Sequence, residues 1–347
     1  MPSKEQEELI YKRKPRTPYV LAHFEDGTEE EVWCTFGEEQ IDLSMDSPEG
    51  KRFLENNLRS LARKGASIIR LDAFAYAVKK PDTSCFFVEP EIWELLERCS
   101  KIAGEENALI LPEIHEHYSI QKKLSDRGYY VYDFALPMLL LHALYFGNST
   151  YLKHWLEICP RKQYTTLDTH DGIGVVDVRG LLPEEEIDAA KEYLFQYGAN
   201  VKRVYNTEKY NNLDIYQINC TYYSALGDND KAYLLARAVQ FFAPGIPQVY
   251  YVGLLAGKND IDFLESTKEG RNINRHYYTE SEIEKEVQRP VVKELLKLME
   301  LRNTHPAFNG EFYMKPSDKA QLILGWKNGD SQLELHADMK NWEFEIK

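Results

Sequence analysis

"SIIRLDAFAY", residues 67 to 76, is a short β-branched run that ends in Arg70 and Asp72, two charges set where a buried strand would finish. Four further runs share its character: "ALILPEI" (108 to 114), "YYVYDFA" (129 to 135), "YTTLDTHD" (164 to 171) and "GIPQVYYV" (245 to 252). Apolar runs of this length read as buried strands. Segments of helical spacing lie between them. "SPEGKRFLENNLRSLARKGAS" (47 to 67) opens with a Ser N-cap and a Pro at the first helical position, and "PEIWELLERCSKIAGEEN" (90 to 107) has apolar residues three and four apart. "LPEEEIDAAKEYLFQYGAN" (182 to 200) begins with an acidic turn and ends at Gly198, while "DKAYLLARAVQFFAPG" (230 to 245) stops at Pro-Gly. Strands alternating with helices predict a parallel α/β sheet, with residues 51 to 307 as its body.

In a parallel barrel, reactive groups collect where the strands finish, because the loops there converge on one face. Asp72 follows the first run, Glu113 ends the second, and His170 with Asp171 ends the fourth. Three carboxylates at strand ends, beside Arg70, His115 and His170, supply a nucleophile, an acid/base and a charge stabiliser, the parts of glycosyl transfer through a covalent intermediate. Taken singly, each has a plainer reading. Asp72 serves equally as a helix cap or turn former, Glu113 as half of a salt bridge, and His115 as an ordinary core or surface histidine.

The chain has 347 residues, 43% hydrophobic and 28% charged, which suits one large barrel or two ordinary domains. A net charge of -14 without a basic stripe argues against a nucleic-acid partner. The five cysteines (Cys34, Cys85, Cys99, Cys159, Cys220) form no CxxC pair and have no histidines at ligand spacing, so they read as reduced, buried thiols. Neither a metal nor a cofactor is implied. "MPSKEQEELIYKRKPRTP" is charged from its fourth residue and no run approaches membrane-spanning length, so the expectation is a cytoplasmic chain with no membrane partner. From residue 308 onward, "FNGEFYMK", "AQLILGWKNGDSQLELHA" and "NWEFEIK" are short β-like runs, and "KNGD" is an Asn-Gly hairpin signal. They predict a small all-β domain over 308 to 347. Residues 1 to 50 show only "EEVWCTF" and the basic stretch "YKRKPRTP", and read as an inserted excursion.

"RLDAFAY", "LPEIHEHY" and "LDTHDGIG" resemble, in this order, three signature regions of the α-amylase-like glycosidase clan, which implies a (β/α)8 TIM-type barrel. "YDFALPMLLLHAL", "LDTHDGIGVVDVRGL", "NNLDIYQINCTYYSALGDND", "ARAVQFFAPGIPQVYYVGLLAGKND" and "GRNINRHYY" narrow the resemblance to the sucrose phosphorylase group of that clan, over about residues 11 to 315. The resemblance implies that a glucosyl unit passes from sucrose to inorganic phosphate with retention, giving α-glucose 1-phosphate and fructose. Carried over by motif, the nucleophile is Asp72, the acid/base Glu113 and the transition-state stabiliser Asp171. Arg70, His170 and Arg271 fall at the glucosyl subsite. Tyr76, Asp214, Tyr216 and Gln217 fall on the acceptor side, with His115 as a further substrate contact.

Two departures stand out against that group. Eight βα units are implied and five strands are legible, the one before Asp72 matching the fourth, so the expectation is that about three units are missing, with an upstream aspartate and histidine. Second, Lys12, Arg13, Lys14 and Arg16 in "YKRKPRTP" would suit a phosphorylated fructose, which keeps sucrose 6-phosphate phosphorylase as the nearest rival. Relatives acting on glucosylglycerate or glucosylglycerol rank below both. A hydrolase would release free glucose, and a non-catalytic remnant would have no need of three carboxylates.

Overall fold

The computed structural model describes residues 3–12, 16–199 and 216–347. The chain divides into two compact units, one reaching to Ile114 and one beginning at His115. The first unit opens with α1 (Lys4–Leu9), started by a capping box between Ser3 and Gln6. An antiparallel hairpin follows, β1 (Tyr19–His23) and β2 (Glu29–Trp33), in register from Tyr19↔Trp33 to His23↔Glu29. It occupies the region expected to be an excursion. Both strands are largely solvent-exposed, so neither carries the apolar alternation that would have marked it.

Helix α2 (Pro48–Arg63) starts where the capping signal placed it: the Ser47 hydroxyl accepts from the Gly50 amide at 2.9 Å, with Pro48 at N1. Strand β3 (Ile68–Leu71) comes next. Helix α3 (Glu91–Glu105) buries Ile92, Leu95, Leu96, Cys99, Ile102 and Ala103, one face at spacings of three and four. It leads into β4 (Leu109–Pro112), which pairs with β3 in parallel from Ile68↔Leu109 to Leu71↔Pro112. Across the two helices Arg59 bonds Glu105 at 2.7 Å and Arg63 bonds Glu106 at 2.6 Å.

The second unit runs α4 (Tyr118–Asp126), β5 (Val131–Asp133), α5 (Leu136–Phe146), α6 (Thr150–Ile158), β6 (Gln163–Thr165), β7 (Ile173–Gly174), α7 (Glu184–Gln196) and β8 (Gln217–Ile218). It continues with α8 (Tyr222–Ala225), α9 (Asp230–Phe242), β9 (Ile246–Pro247), α10 (Tyr251–Leu254), α11 (Ile261–Thr267), α12 (Glu280–Glu286) and α13 (Pro290–Thr304). Strands β5, β6 and β9 form a parallel sheet in that order. All five expected strands are shorter than their apolar runs, β6 and β9 most of all. β6 stops at Thr165, and β9 stops at Pro247, with one further amide, that of Gln248, donating to the Thr165 carbonyl at 2.9 Å. Helix α5, "LPMLLLHALYF", is apolar on every side and buried from Leu136 to Leu144, so it is a core helix with no solvent face until its end. Each of its buried leucines contributes about 1.5–3 kcal/mol.

Asp133, at the end of β5, is buried and accepts from the Trp155 indole at 3.0 Å and the Leu136 amide at 3.0 Å. Burial pushes its carboxyl up to about 6 despite those donors. Asp168 and Arg237 form a second buried polar centre. Arg237 Nη2 lies 2.9 and 2.7 Å from the two Asp168 oxygens, Nη1 donates to Gln240 at 2.8 Å, and Nε donates to the Tyr233 hydroxyl at 3.0 Å. Gly253 leaves the room for this pair, since a Cβ there would stand 2.0 Å from an Asp168 oxygen.

The chain ends in an antiparallel sheet ordered β10 (Glu311–Lys315), β11 (Gln321–Asn328), β12 (Ser331–Asp338), β13 (Glu343–Ile346). The expected hairpin is present, but its loop lies one residue later than "NG". Asn328 pairs with Ser331, so Gly329 and Asp330 are the central residues, and Gly329 takes φ +58°. The sheet packs on α9: the Trp326 indole donates to the Phe242 carbonyl at 2.8 Å, and Phe308 meets the Phe242 ring edge to face at 5.1 Å. All five cysteines are buried free thiols. No described helix is long and apolar enough to cross a membrane.

Candidate active site

In the first unit β3 and β4 end side by side, and the pairing Arg70↔Leu111 sets Asp72 and Glu113 just beyond the two strand ends. Arg70 joins them. Its Nη1 lies 2.9 Å from Asp72 Oδ1 and its Nη2 2.9 Å from Glu113 Oε2. The same Glu113 oxygen accepts from the Ala73 amide at 3.1 Å, and the Phe74 amide donates to the Glu113 carbonyl at 3.2 Å. Ala73 adopts φ +45° to make this turn. Two carboxylates on adjacent nitrogens of one guanidinium are compatible with the roughly 5 Å separation that retaining glycosyl transfer needs. The Asp72 side chain is 72% exposed and that of Glu113 9%, so one is accessible and the other shielded.

Tyr76 follows in a short 3-10 turn and is buried among aromatic rings, 6.4 Å from Tyr11, 5.2 Å from Phe36 and 4.9 Å from Phe86. Within "YKRKPRTP", Lys12 pairs with Glu7 at 2.8 Å and Arg16 donates to the Phe36 carbonyl at 3.1 Å. Arg13 and Lys14 lie outside the described residues, as does Asp214.

In the second unit Asp171 sits beyond β6, on a turn that folds back into β7. Its Oδ1 lies 3.0 Å from Arg271 Nη1 and 3.5 Å from Arg275 Nη2, and its Oδ2 is 3.8 Å from His170 Nε2. Burial pulls the Arg271 guanidinium down, but the Asp171 carboxylate and the Tyr216 hydroxyl beside it outweigh burial and hold it above its ordinary range. Gln217 lies on β8, which pairs antiparallel with β7, and its Oε1 accepts from the Gly172 amide at 3.4 Å. A Cβ on Gly172 would stand 2.8 Å from the Ile218 carbonyl oxygen, so only glycine permits this approach. His115 stacks on Phe134 at 3.7 Å, with Nδ1 3.5 Å from the buried Asp177.

The expected residues therefore assemble into two groups, Arg70 with Asp72 and Glu113 in one unit, and His170, Asp171, Tyr216, Gln217 and Arg271 in the other. Asn274, Arg275 and Asp177 were not anticipated. The first two stand in the quoted "GRNINRHYY", from which only Arg271 was taken; nothing local in the sequence distinguishes Asp177. The Asp168–Arg237 pair had a visible signal, a lone arginine inside the apolar helix "AYLLARAVQFF".

No family model matches the chain. Among individual proteins, it is 58% identical over 331 residues to a sucrose phosphorylase of Streptococcus mutans, covering 95% of this chain and 69% of the relative. It is 46% identical, with the same coverage of both chains, to a glucosylglycerol phosphorylase of Marinobacter adhaerens. The crystal structure of a sucrose 6F-phosphate phosphorylase from Thermoanaerobacter thermosaccharolyticum superposes with a TM-score of 0.94 at 44% identity, covering 100% of this chain and 72% of that one. An α-amylase from H. orenii superposes at a TM-score of 0.64 and 12% identity, over 97% of this chain and 65% of its own, a likeness of fold.

Proposed function

Because the chain belongs to the sucrose phosphorylase family, with the α-amylase-like fold, we propose that it transfers a glucosyl unit from sucrose to inorganic phosphate with retention of configuration. The supporting observation is Arg70 bonded to both Asp72 and Glu113 at 2.9 Å. In this reading an Asp72 oxygen attacks the anomeric carbon as the bond to the fructosyl oxygen breaks, and Glu113 gives that oxygen its proton, releasing fructose. Glu113 Oε2 receives donors from both Arg70 and the Ala73 amide, which hold the side chain in place. Asp171, fixed by Arg271, supports the positive charge developing on the sugar ring. A phosphate oxygen then attacks the anomeric carbon and gives its proton to Glu113, the bond to Asp72 breaks, and α-glucose 1-phosphate leaves.

Plain sucrose ranks ahead of sucrose 6-phosphate as donor. Of the four cations that would anchor a phosphorylated fructose, Lys12 is paired with Glu7, and Arg16 donates to the Phe36 carbonyl beyond the hairpin. Incubation of the chain with sucrose and phosphate should yield glucose 1-phosphate and fructose, with Asp72→Ala and Glu113→Gln slower by about 10²-fold or more. Free glucose as the main product would make the protein a hydrolase, and parent-like phosphorolysis by either variant would remove both assignments.

A further inference from the structure

Among the described residues the turn that carries His170 and Asp171 has no strand partner to shape it, because β6 ends at Thr165. Its backbone carbonyls go instead to two consecutive side chains from elsewhere in the chain. Asn274 Nδ2 donates to the Thr169 carbonyl at 3.0 Å and to the Asp171 carbonyl at 2.8 Å. Arg275 Nε donates to the intervening His170 carbonyl at 2.8 Å, and its Nη2 lies 3.5 Å from the Asp171 carboxylate. Three successive carbonyls, 169 to 171, are thus fixed by residues 274 and 275.

Their burial bears on why these two residues are there. Asn274 is 2% exposed, and its side-chain Oδ1 has no hydrogen-bond partner among the described residues. A buried acceptor left unmade costs about 1–3 kcal/mol. A side chain kept at that cost is explained if its two amide donors are what the position requires. The segment is anchored behind as well as in front. The Asp260 amide donates to the Ile273 carbonyl at 2.7 Å, the His276 ring bonds the Asp260 carboxylate, and Asp260 also caps α11. The chain on either side of Asn274 and Arg275 is therefore held before they reach the turn.

We infer that Asn274 and Arg275 are positioning residues for the reaction: they act through the 169–171 backbone to set where the Asp171 carboxylate and the His170 ring stand. The inference rests on the role proposed for Asp171. It also separates the two arginines that share Asp171 Oδ1. Arg271 fixes the carboxylate at 3.0 Å, whereas Arg275 reaches it only at 3.5 Å and holds the peptide that carries it at 2.8 Å.

The test compares Asn274→Ala, Arg275→Gln and Arg275→Lys with the parent chain and with Asp171→Asn. Two readings are taken on each: release of glucose 1-phosphate from sucrose and phosphate, and calorimetric binding of 1-deoxynojirimycin, a cationic glucose mimic that needs no turnover. A misplaced stabiliser lowers kcat by about tenfold or more with the sucrose KM nearly unchanged, and weakens the cationic mimic alike. Arg275→Lys, which keeps the charge and one donor, should recover part of the loss. Arg275 is about a quarter exposed, so Arg275→Gln should fold and melt like the parent, separating placement from stability. If Asp171→Asn is impaired while Asn274→Ala and Arg275→Gln match the parent, the inference is wrong. If Asp171→Asn matches the parent, or the parent neither turns over nor binds the mimic, the proposed function falls and this inference with it.

Discussion

Replacing Arg237 with methionine while Asp168 stays in place would leave a carboxylate stranded in the interior. The Arg237 side chain is 0% exposed and that of Asp168 4%, so water cannot take over the lost contacts. Arg237 gives up two bonds to Asp168, two to the Tyr233 hydroxyl and one to Gln240, together with its stacking 5.0 Å above the Tyr233 ring. Breaking one side of a buried pair in this way costs about 3–5 kcal/mol. Asp168→Asn alone should cost a similar amount, because it strands the guanidinium instead. The double variant removes both charges and with them the desolvation burden, so it should lie well above the sum of the single losses, by about 2 kcal/mol or more. Urea unfolding followed by tryptophan fluorescence measures all four chains, with the slope checked for constancy. Single losses below about 1 kcal/mol, or strict additivity, would refute the assignment of this pair as a tightly coupled interior charge centre.

Asp133 should make stability depend on pH in the mildly acidic range. Its folded carboxyl sits at about 6, against about 4 in an unfolded chain, so the folded form holds an extra proton between those values. Its contribution is therefore fully present below pH 4 and is lost as pH rises to 6, by about 3 kcal/mol, after which it is flat. Asp133→Asn should remove that slope, and denaturation curves at pH 4, 5, 6 and 7 would reveal a slope that persists. At the β11–β12 hairpin, Gly329→Ala should cost about 1 kcal/mol, because φ +58° is left-handed although the space around the site is open. An unchanged midpoint would mean that the loop relaxes to another turn.

The parts of the fold legible in the sequence were those in which local chemistry and burial agree. Ser47-Pro48 starts α2, Gly198 follows α7, and each of the five apolar runs contains a strand in parallel pairing. The hairpin β1–β2 was hidden because its strands bury too little to alternate. The length of β6 was overread because its run continues past the last ladder bond into residues whose carbonyls go to side chains, and that of β9 because its run turns into α10. At the site, Asp72, Glu113 and Asp171 carry a recognisable order and context. Asn274 and Arg275 do not, since their meaning depends on three carbonyls about a hundred residues away.

The left-handed turn at Ala73 has one more consequence. A single peptide plane ends the segment bearing Asp72 and also grips the Glu113 carboxylate, so the two acids share a mechanical tether as well as a guanidinium. A branched side chain at residue 73 would twist that plane, shifting the Asp72 and Glu113 carboxylates together. Glycine would ease the twist yet let both drift. Loss of registry between the two acids would then trace to a residue that has no chemistry of its own.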